Sequence, residues 1–167
     1  WKTCAKNHMI NALKPNSKEF ILTHDLAWCT IFKAASTTFL FFMNILAGYD
    51  VRYLQRTAAT PINLARKRFP RPSVNELNEA LENSLSLLIV REPFERLLSA
   101  YRNKFEEGKN SYYKIIAESI VKQYRIQPSE NQSNAPTFKE FLQYVVKREK
   151  HPDEHWAPFW KFCTPCS

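Results

Sequence analysis

Two short apolar runs open the readable pattern, Phe20-Ile21-Leu22 and Ala27-Trp28-Cys29-Thr30-Ile31-Phe32, split by the polar pair His24-Asp25. Both have the length of a strand. Lys33-Ala34-Ala35-Ser36-Thr37-Thr38 comes next, followed by an apolar stretch to Leu46 and then Gly48. That stretch predicts a helix buried on most faces with a glycine stop. Residues 49–72 are basic and show no period, so they are expected to be irregular. Ser73-Val74-Asn75-Glu76 has the spacing of a capping box and predicts a helix over about 74–83. Leu85 to Val90 is continuously apolar, as in a strand buried on both faces. Pro93 suits the first turn of a helix, and Phe94, Leu97, Leu98, Tyr101 and Phe105 recur at helical spacing behind it. A helix over about 112–124, an exposed loop over 127–136 and a second capping box, Thr137 to Glu140, opening a helix to about Lys147 complete the pattern. The tail is rich in Trp, Pro and Cys and has no period. This order of elements predicts an α/β fold with a parallel sheet flanked by helices.

At 167 residues the chain has the size of a single domain, able to bury ~70% of its unfolded surface. An apolar content of 44% excludes a disordered linker, and the presence of only 2 glycines excludes long glycine-rich loops. The longest apolar stretch, Phe39 to Ala47, is interrupted by Asn44 and falls short of the ~18 residues a membrane span needs. No transmembrane helix and no signal peptide are read. Because the chain begins at Trp1 rather than Met, a trimmed leader or anchor is expected. The net charge of +8 suits polyanionic partners, whether nucleic acid, anionic lipid or acidic polysaccharide, and equally a solvated basic surface.

Four cysteines, Cys4, Cys29, Cys163 and Cys166, permit two disulfides in any of 3 connectivities. Cys163-Thr164-Pro165-Cys166 has metal or redox spacing, but no second such pair and no nearby paired histidines complete a zinc site. No metal is therefore read, and two disulfides in an oxidising compartment are expected. The glycosylation triplet Asn131-Gln132-Ser133 points to the same compartment.

Two strand-to-helix junctions are suited to anions. At the first, Lys33 follows the apolar strand, and the small residues Ala34 and Ala35 lead into a helix start carrying Ser36, Thr37 and Thr38. A helix N-terminus offers unpaired N–H groups and the positive end of a dipole. Small side chains let a phosphate reach those donors, the threonines add hydroxyls, and Lys33 adds a full charge. The mechanics are those of a P-loop, although the GxxxxGK[ST] signature is absent. At the second junction Arg91 ends a strand and can grip an anion with two donors, Arg96 and Arg102 add charge, and Ser99 lies almost two turns into the next helix. Parallel strands bring their carboxyl ends to one sheet edge, so two anion sites there suit one ligand with two separated phosphate groups.

Cys29–Phe39 (CTIFKAASTTF) followed by Leu87–Phe105 (LLIVREPFERLLSAYRNKF) resembles the two nucleotide-binding motifs of Golgi carbohydrate sulfotransferases, in particular the family of chondroitin and dermatan 4-O-sulfotransferases. His155–Cys166 (HWAPFWKFCTPC) is similar to that family's tail segment, and Thr137–Val145 to the helix before it. Cys4 also falls where the family carries an N-terminal cysteine, whereas residues 49–72 and 106–136 match poorly.

The resemblance implies one sulfotransferase domain over residues 1–167, P-loop-like and binding 3′-phosphoadenosine 5′-phosphosulfate (PAPS). It implies that Lys33, Ala34, Ala35, Ser36, Thr37 and Thr38 hold the 5′-phosphosulfate, with Lys33 stabilising charge on the bridging oxygen. Arg91 and Ser99 would hold the 3′-phosphate, with Arg96 beside them. It further implies sulfuryl transfer to a hydroxyl of an acidic or neutral glycan. The setting would be the Golgi lumen, in a type II membrane protein whose anchor is absent from this chain.

The chain departs from the family's pattern in three places. Phe32 stands where the family has proline, which reshapes the loop entry. No histidine lies between His24 and His151, so the general base is sought in the tail, where His155 and Glu154 are the candidates, with a structural histidine packed beside Trp156 as the other reading of His155. The family also continues beyond its tail cysteines, so a C-terminally shortened chain is expected. Arg66, Lys67, Arg68 and Arg71 are candidates for lining an acidic-glycan groove. Two other classes are weighed. One is a non-catalytic glycan-binding relative, distinguished by the absence of turnover. The other is a kinase-type enzyme, distinguished by metal dependence and disfavoured by the lack of a Walker lysine motif and an acidic metal pair. Nucleic-acid binding has no recognised module to support it.

Overall fold

The computed structural model describes residues 19–22, 25–108, 110–126, 134–148, 150 and 152–163. The chain forms two compact units, Trp1–Val90 with Pro158–Ser167, and Arg91–Ala157.

In the first unit, strands β1 (Glu19–Leu22) and β2 (Leu26–Cys29) pair antiparallel, with Phe20 opposite Trp28. Four helices follow: α1 (Ser36–Leu46), α2 (Val51–Arg56), α3 (Pro61–Arg68) and α4 (Val74–Asn83). They lead to β3 (Leu85–Leu88), which runs parallel to β2 with Leu87 opposite Trp28. The sheet order is β1-β2-β3. Parallel pairing therefore holds for β2 and β3, while β1 makes the sheet mixed. The connection from Leu22 to Leu26 is far too short for the crossover that a parallel pair requires.

Trp28 anchors this unit's core. It is buried with Leu40, Met43, Ala65 and Phe69, and its ring lies 4.3 Å from that of Phe39. Emptying such a site by Trp→Ala costs about 3–5 kcal/mol. Asn44, which interrupts the apolar stretch, is fully buried and donates from Nδ2 to the Pro61 carbonyl at 2.9 Å, tying α1 to the start of α3. The glycine stop forms as expected. Gly48 has φ +89°, its N–H bonds Ile45 O, and Tyr49 N–H bonds Asn44 O. This double closure is the Schellman arrangement, and it needs a residue without a Cβ penalty at the left-handed position.

Three expectations are corrected here. Residues 49–72 are not irregular throughout, because α2 and α3 form within them. Asp50 accepts from Tyr53 N–H, Thr60 accepts from Asn63 N–H, and Pro61 occupies the first turn of α3. Local capping supplied what the basic sequence lacked in apolar period. The second correction concerns β3, which is not buried on both faces: Leu85 is 73% exposed, and Val90 lies exposed beyond the strand. Among the described strands β3 pairs only with β2, at the sheet edge. The third concerns α1, where Phe42 and Leu46 are exposed although four other positions are buried.

The second unit is helical: α5 (Pro93–Tyr101) passes into a π-helical turn (Arg102–Glu106), followed by α6 (Ser111–Tyr124) and α7 (Phe138–Lys147). In the π turn Glu107 N–H bonds Arg102 O, and the wider winding keeps Phe105 in the core. Gly108 is required just beyond it, since a Cβ there would run into the Lys104 carbonyl. The core joins Ala100, Tyr101, Phe105, Tyr113, Ile120, Phe141 and Trp156 in an aromatic cluster. Phe94 does not belong to it. It sits on the first turn of α5 at 78% exposure, so the apolar face starts one turn later than its spacing predicted. Arg125 and Glu140 form a buried bidentate pair at 3.0 Å, with Glu140 also closing the Thr137 capping box as expected. Residues 127–133, including the glycosylation triplet, lie outside the described residues, as do Cys4 and Cys166.

Candidate functional site

The first junction leaves β2 at Cys29 and reaches α1 through a tight turn. Lys33 (φ 66°) and Ala35 (φ 57°) both adopt the left-handed conformation. For residues other than glycine this costs roughly 1–2 kcal/mol each, and such outliers collect where a loop must present its backbone. Ala34 is buried, and its N–H bonds Ile31 O at 3.3 Å, which closes the turn. Ala35 is the N-cap of α1 and has no side chain with which to cap it. Every other described α-helix is side-chain capped, by Asp50, Thr60, Ser73, Glu92, Asn110 or Thr137. Ser36 is buried in the first turn of α1, while Thr37 and Thr38 are exposed. The result is an 11-residue helix whose first N–H groups are fronted by small residues and flanked by a lysine. Such uncapped N–H groups at a helix start are the kind of donor set that suits an anion.

The base of this turn is covalently held. Cys29, the last residue of β2, forms a disulfide with Cys163, with Cα atoms 5.9 Å apart and a sequence separation of 134. Cys163 is buried with Ile31 and Ala34, and Phe159 and Phe162 pack on them. Cys163 therefore pairs with Cys29 and not with its CxxC neighbour.

The second junction begins beyond β3, and its residues lie in the second unit. Arg91 is exposed and bonds Glu95 Oε2 through Nε at 3.3 Å. Glu92 caps α5 by accepting from Glu95 N–H at 2.7 Å. Ser99 is half-buried on α5. Arg96 is buried, with its guanidinium donating to Ala157 O at 2.8 Å and Glu154 O at 3.3 Å. Arg96 thus fixes the backbone of the tail turn. Of the candidate glycan residues, Arg66, Lys67 and Arg68 sit on the last turn of α3 and Arg71 lies beyond it. Arg66 bonds the Phe69 and Pro70 carbonyls, Arg68 lies over the Tyr49 ring at 5.3 Å, and Lys67 and Arg71 are exposed. Three cations there also complement the negative end of the helix dipole.

His155 lies in a polar network inside the second unit. Its Nδ1 is 2.7 Å from Asp153 Oδ1 and 3.0 Å from the Tyr113 hydroxyl. Tyr113 donates to Asp153 Oδ2 at 3.1 Å, and the His155 backbone N–H bonds Asp153 Oδ1 at 2.9 Å. Burial pushes the Asp153 carboxyl up, but the His155 ring, the His155 backbone N–H and the Tyr113 hydroxyl outweigh it and hold the group below its ordinary value. Burial and the Asp153 charge push the Tyr113 hydroxyl well up, so it stays a donor. Lys104 lies 4.5 Å from the Tyr113 ring centre. Asp153 and Tyr113 were absent from the sequence reading. The Asp-x-His spacing of an Asx turn was a local signal for Asp153, but nothing local links Tyr113 to a residue 42 positions away.

The description "Sulfotransferase family" fits a family model matching residues 20–167. The chain is 31% identical over 184 residues to carbohydrate sulfotransferase 11 of Rattus norvegicus, covering 98% of this chain and 52% of that relative. It is 36% identical over 146 residues to carbohydrate sulfotransferase 14 of Homo sapiens, covering 84% of this chain and 37% of that protein. With carbohydrate sulfotransferase 8 of Homo sapiens it shares 31% over 153 residues, 86% of this chain and 35% of that one. The chain therefore spans about half the length, or less, of these curated relatives. No solved structure matches it.

Proposed function

The chain belongs to the sulfotransferase family, and on that premise we propose that it transfers a sulfuryl group from PAPS to a hydroxyl of a glycan. We read residues 1–167 as one catalytic domain's portion of a Golgi-lumenal enzyme. The buried Cys29–Cys163 disulfide suits that oxidising compartment, and the relatives named as carbohydrate sulfotransferases support a sugar acceptor. Among the described residues no helix is long and apolar enough to cross a membrane, so the type II anchor rests on the family resemblance.

The observation that carries this reading is the uncapped start of α1 behind its left-handed turn. PAPS supplies an activated sulfuryl group on a phosphate. The α1 N–H groups, Ser36, Thr37 and Thr38 are suited to bind that anionic end, with Ala34 and Ala35 leaving room for it. Lys33 provides the charge that stabilises the bridging oxygen. Arg91 and Ser99 would take the 3′-phosphate, and Arg96, engaged with the tail carbonyls, would support them from behind. His155 is read as the base. It takes the acceptor hydroxyl's proton as that oxygen bonds to sulfur, while the bond from sulfur to the bridging oxygen breaks and its electron pair stays on the phosphate. The exposed cations Lys67 and Arg71, with Arg66 and Arg68 beside them, would favour acidic segments of the acceptor.

The test is calorimetric titration of the 167-residue chain with 3′-phosphoadenosine 5′-phosphate, with ATP as control. Saturable binding that prefers the 3′-phosphate is expected, weakened by roughly 10- to 100-fold in Lys33→Ala and in Arg91→Ala. A folded chain that binds neither nucleotide would overturn the reading.

A further inference from the structure

The Asp153–His155–Tyr113 cluster carries more than a packing role. A turn from Asp153 to His155 needs only the backbone bond from His155 N–H to Asp153 Oδ1, at 2.9 Å. Here the same carboxylate oxygen also meets the imidazole Nδ1 at 2.7 Å, and the other oxygen accepts from Tyr113 at 3.1 Å. A carboxylate this close to a ring nitrogen requires a proton between them, because two lone pairs would repel at that distance. The proton therefore sits on Nδ1, and the neutral ring carries its lone pair on Nε2. The Tyr113 oxygen, 3.0 Å from Nδ1, flanks the bond and limits rotation of the ring. From α5, Arg96 grips the carbonyls of Glu154 and Ala157 on either side of His155. Three separate parts of the second unit thus fix one imidazole in both orientation and tautomer.

We propose that Asp153 and Tyr113 are positioning residues that hold His155 in its Nδ1–H tautomer, with Nε2 as the proton-accepting atom for the acceptor hydroxyl. This rests on the reading of His155 as the base. Asp153 acts through the ring: it fixes the tautomer and stabilises the imidazolium formed when the proton arrives. Tyr113 holds the carboxylate's second oxygen, so that Asp153 cannot turn away from the ring.

The experiment is nitrogen-15 NMR of the histidine rings in the 167-residue chain, with the His155 signals assigned by their loss in His155→Gln. Turnover of PAPS on a chondroitin acceptor is measured beside it. Wild-type chain with the ring neutral should show the proton on Nδ1 and none on Nε2. Asp153→Asn should mix the tautomers and lower kcat by about 100-fold or more. The affinity for 3′-phosphoadenosine 5′-phosphate should change less than about twofold, since neither residue is placed at the nucleotide. Tyr113→Phe should keep the tautomer and lower kcat by about three- to tenfold, a loss attributable to the freed carboxylate. A protonated Nε2 in the wild-type chain overturns the proposal, even if Asp153→Asn does not fold. So does an Asp153→Asn chain that keeps both tautomer and kcat while His155→Gln is inactive. Full activity in His155→Gln removes the base reading itself, whatever the tautomer.

Discussion

The starts of α1 and α5 solve the same local problem in opposite ways. Each follows a strand of the parallel pair, and each begins a helix with unpaired N–H groups. α5 fills its own need: Glu92 caps it, Pro93 removes one donor from the first turn, and Arg91 is engaged by Glu95. α1 does not, because Ala35 has no side-chain oxygen to offer and is held, with Lys33, in a conformation that alanine and lysine rarely adopt. One junction leaves its backbone donors uncovered by a cap, and the other covers them with side chains. The difference teaches that a candidate anion site can be sought by what a helix start lacks as much as by the charges near it.

The largest effect that separates the two junctions should come from the disulfide. Replacing Cys29 and Cys163 by serine removes a closure across 134 residues and should lower stability by about 2–5 kcal/mol. Hydrogen exchange should then show protection lost around residues 30–40 and kept over α5. Equal loss at both helices would mean that the turn is not separately anchored. Next in size is a contrast within the second junction. Arg96→Ala strands the buried Ala157 carbonyl and removes a part-buried bond to the Glu154 carbonyl, and should cost about 2–4 kcal/mol in denaturant unfolding. Arg91→Ala breaks an exposed pair with Glu95 and should leave stability within about 0.5 kcal/mol, while the proposed function expects it to weaken nucleotide binding. If Arg91→Ala proved the more destabilising, the division of labour between these arginines would be wrong. The smallest effect is at the first junction. Ala35→Gly relieves a left-handed alanine and should raise stability by up to about 1 kcal/mol. It should also weaken nucleotide binding by roughly two- to fivefold, because the turn is no longer held in place beforehand. Thermal melts and calorimetry on one preparation would check both signs.

What could be read from the chain was whatever is written within a few neighbouring residues. Ser73 with Glu76, Thr137 with Glu140 and Gly48 after Leu46 each act through local geometry, and each appears where its spacing put it. α2 and α3 were passed over although Asp50 and Thr60-Pro61 are capping signals, because their basic residues mask any apolar period. The exposure of Leu85 was not legible, since an apolar run does not say whether its strand is central or at an edge. At the first junction, Lys33 and the small residues after it could be named, but an Ala-Ala pair reads as helix and gave no hint of positive φ. Tyr113 lay beyond any local signal, because only folding brings α6 to the tail turn.

The Cys29–Cys163 bond also sets a timetable for the newborn chain. At about 5–20 residues per second of synthesis, the sequence separation of 134 between the two cysteines corresponds to roughly 7–27 s during which Cys29 has no native partner. Cys4 precedes it in the sequence, so until Cys163 has been made Cys29 can meet Cys4 but not its native partner. The turn that presents Lys33 is therefore secured only once a residue 134 positions beyond Cys29 has emerged.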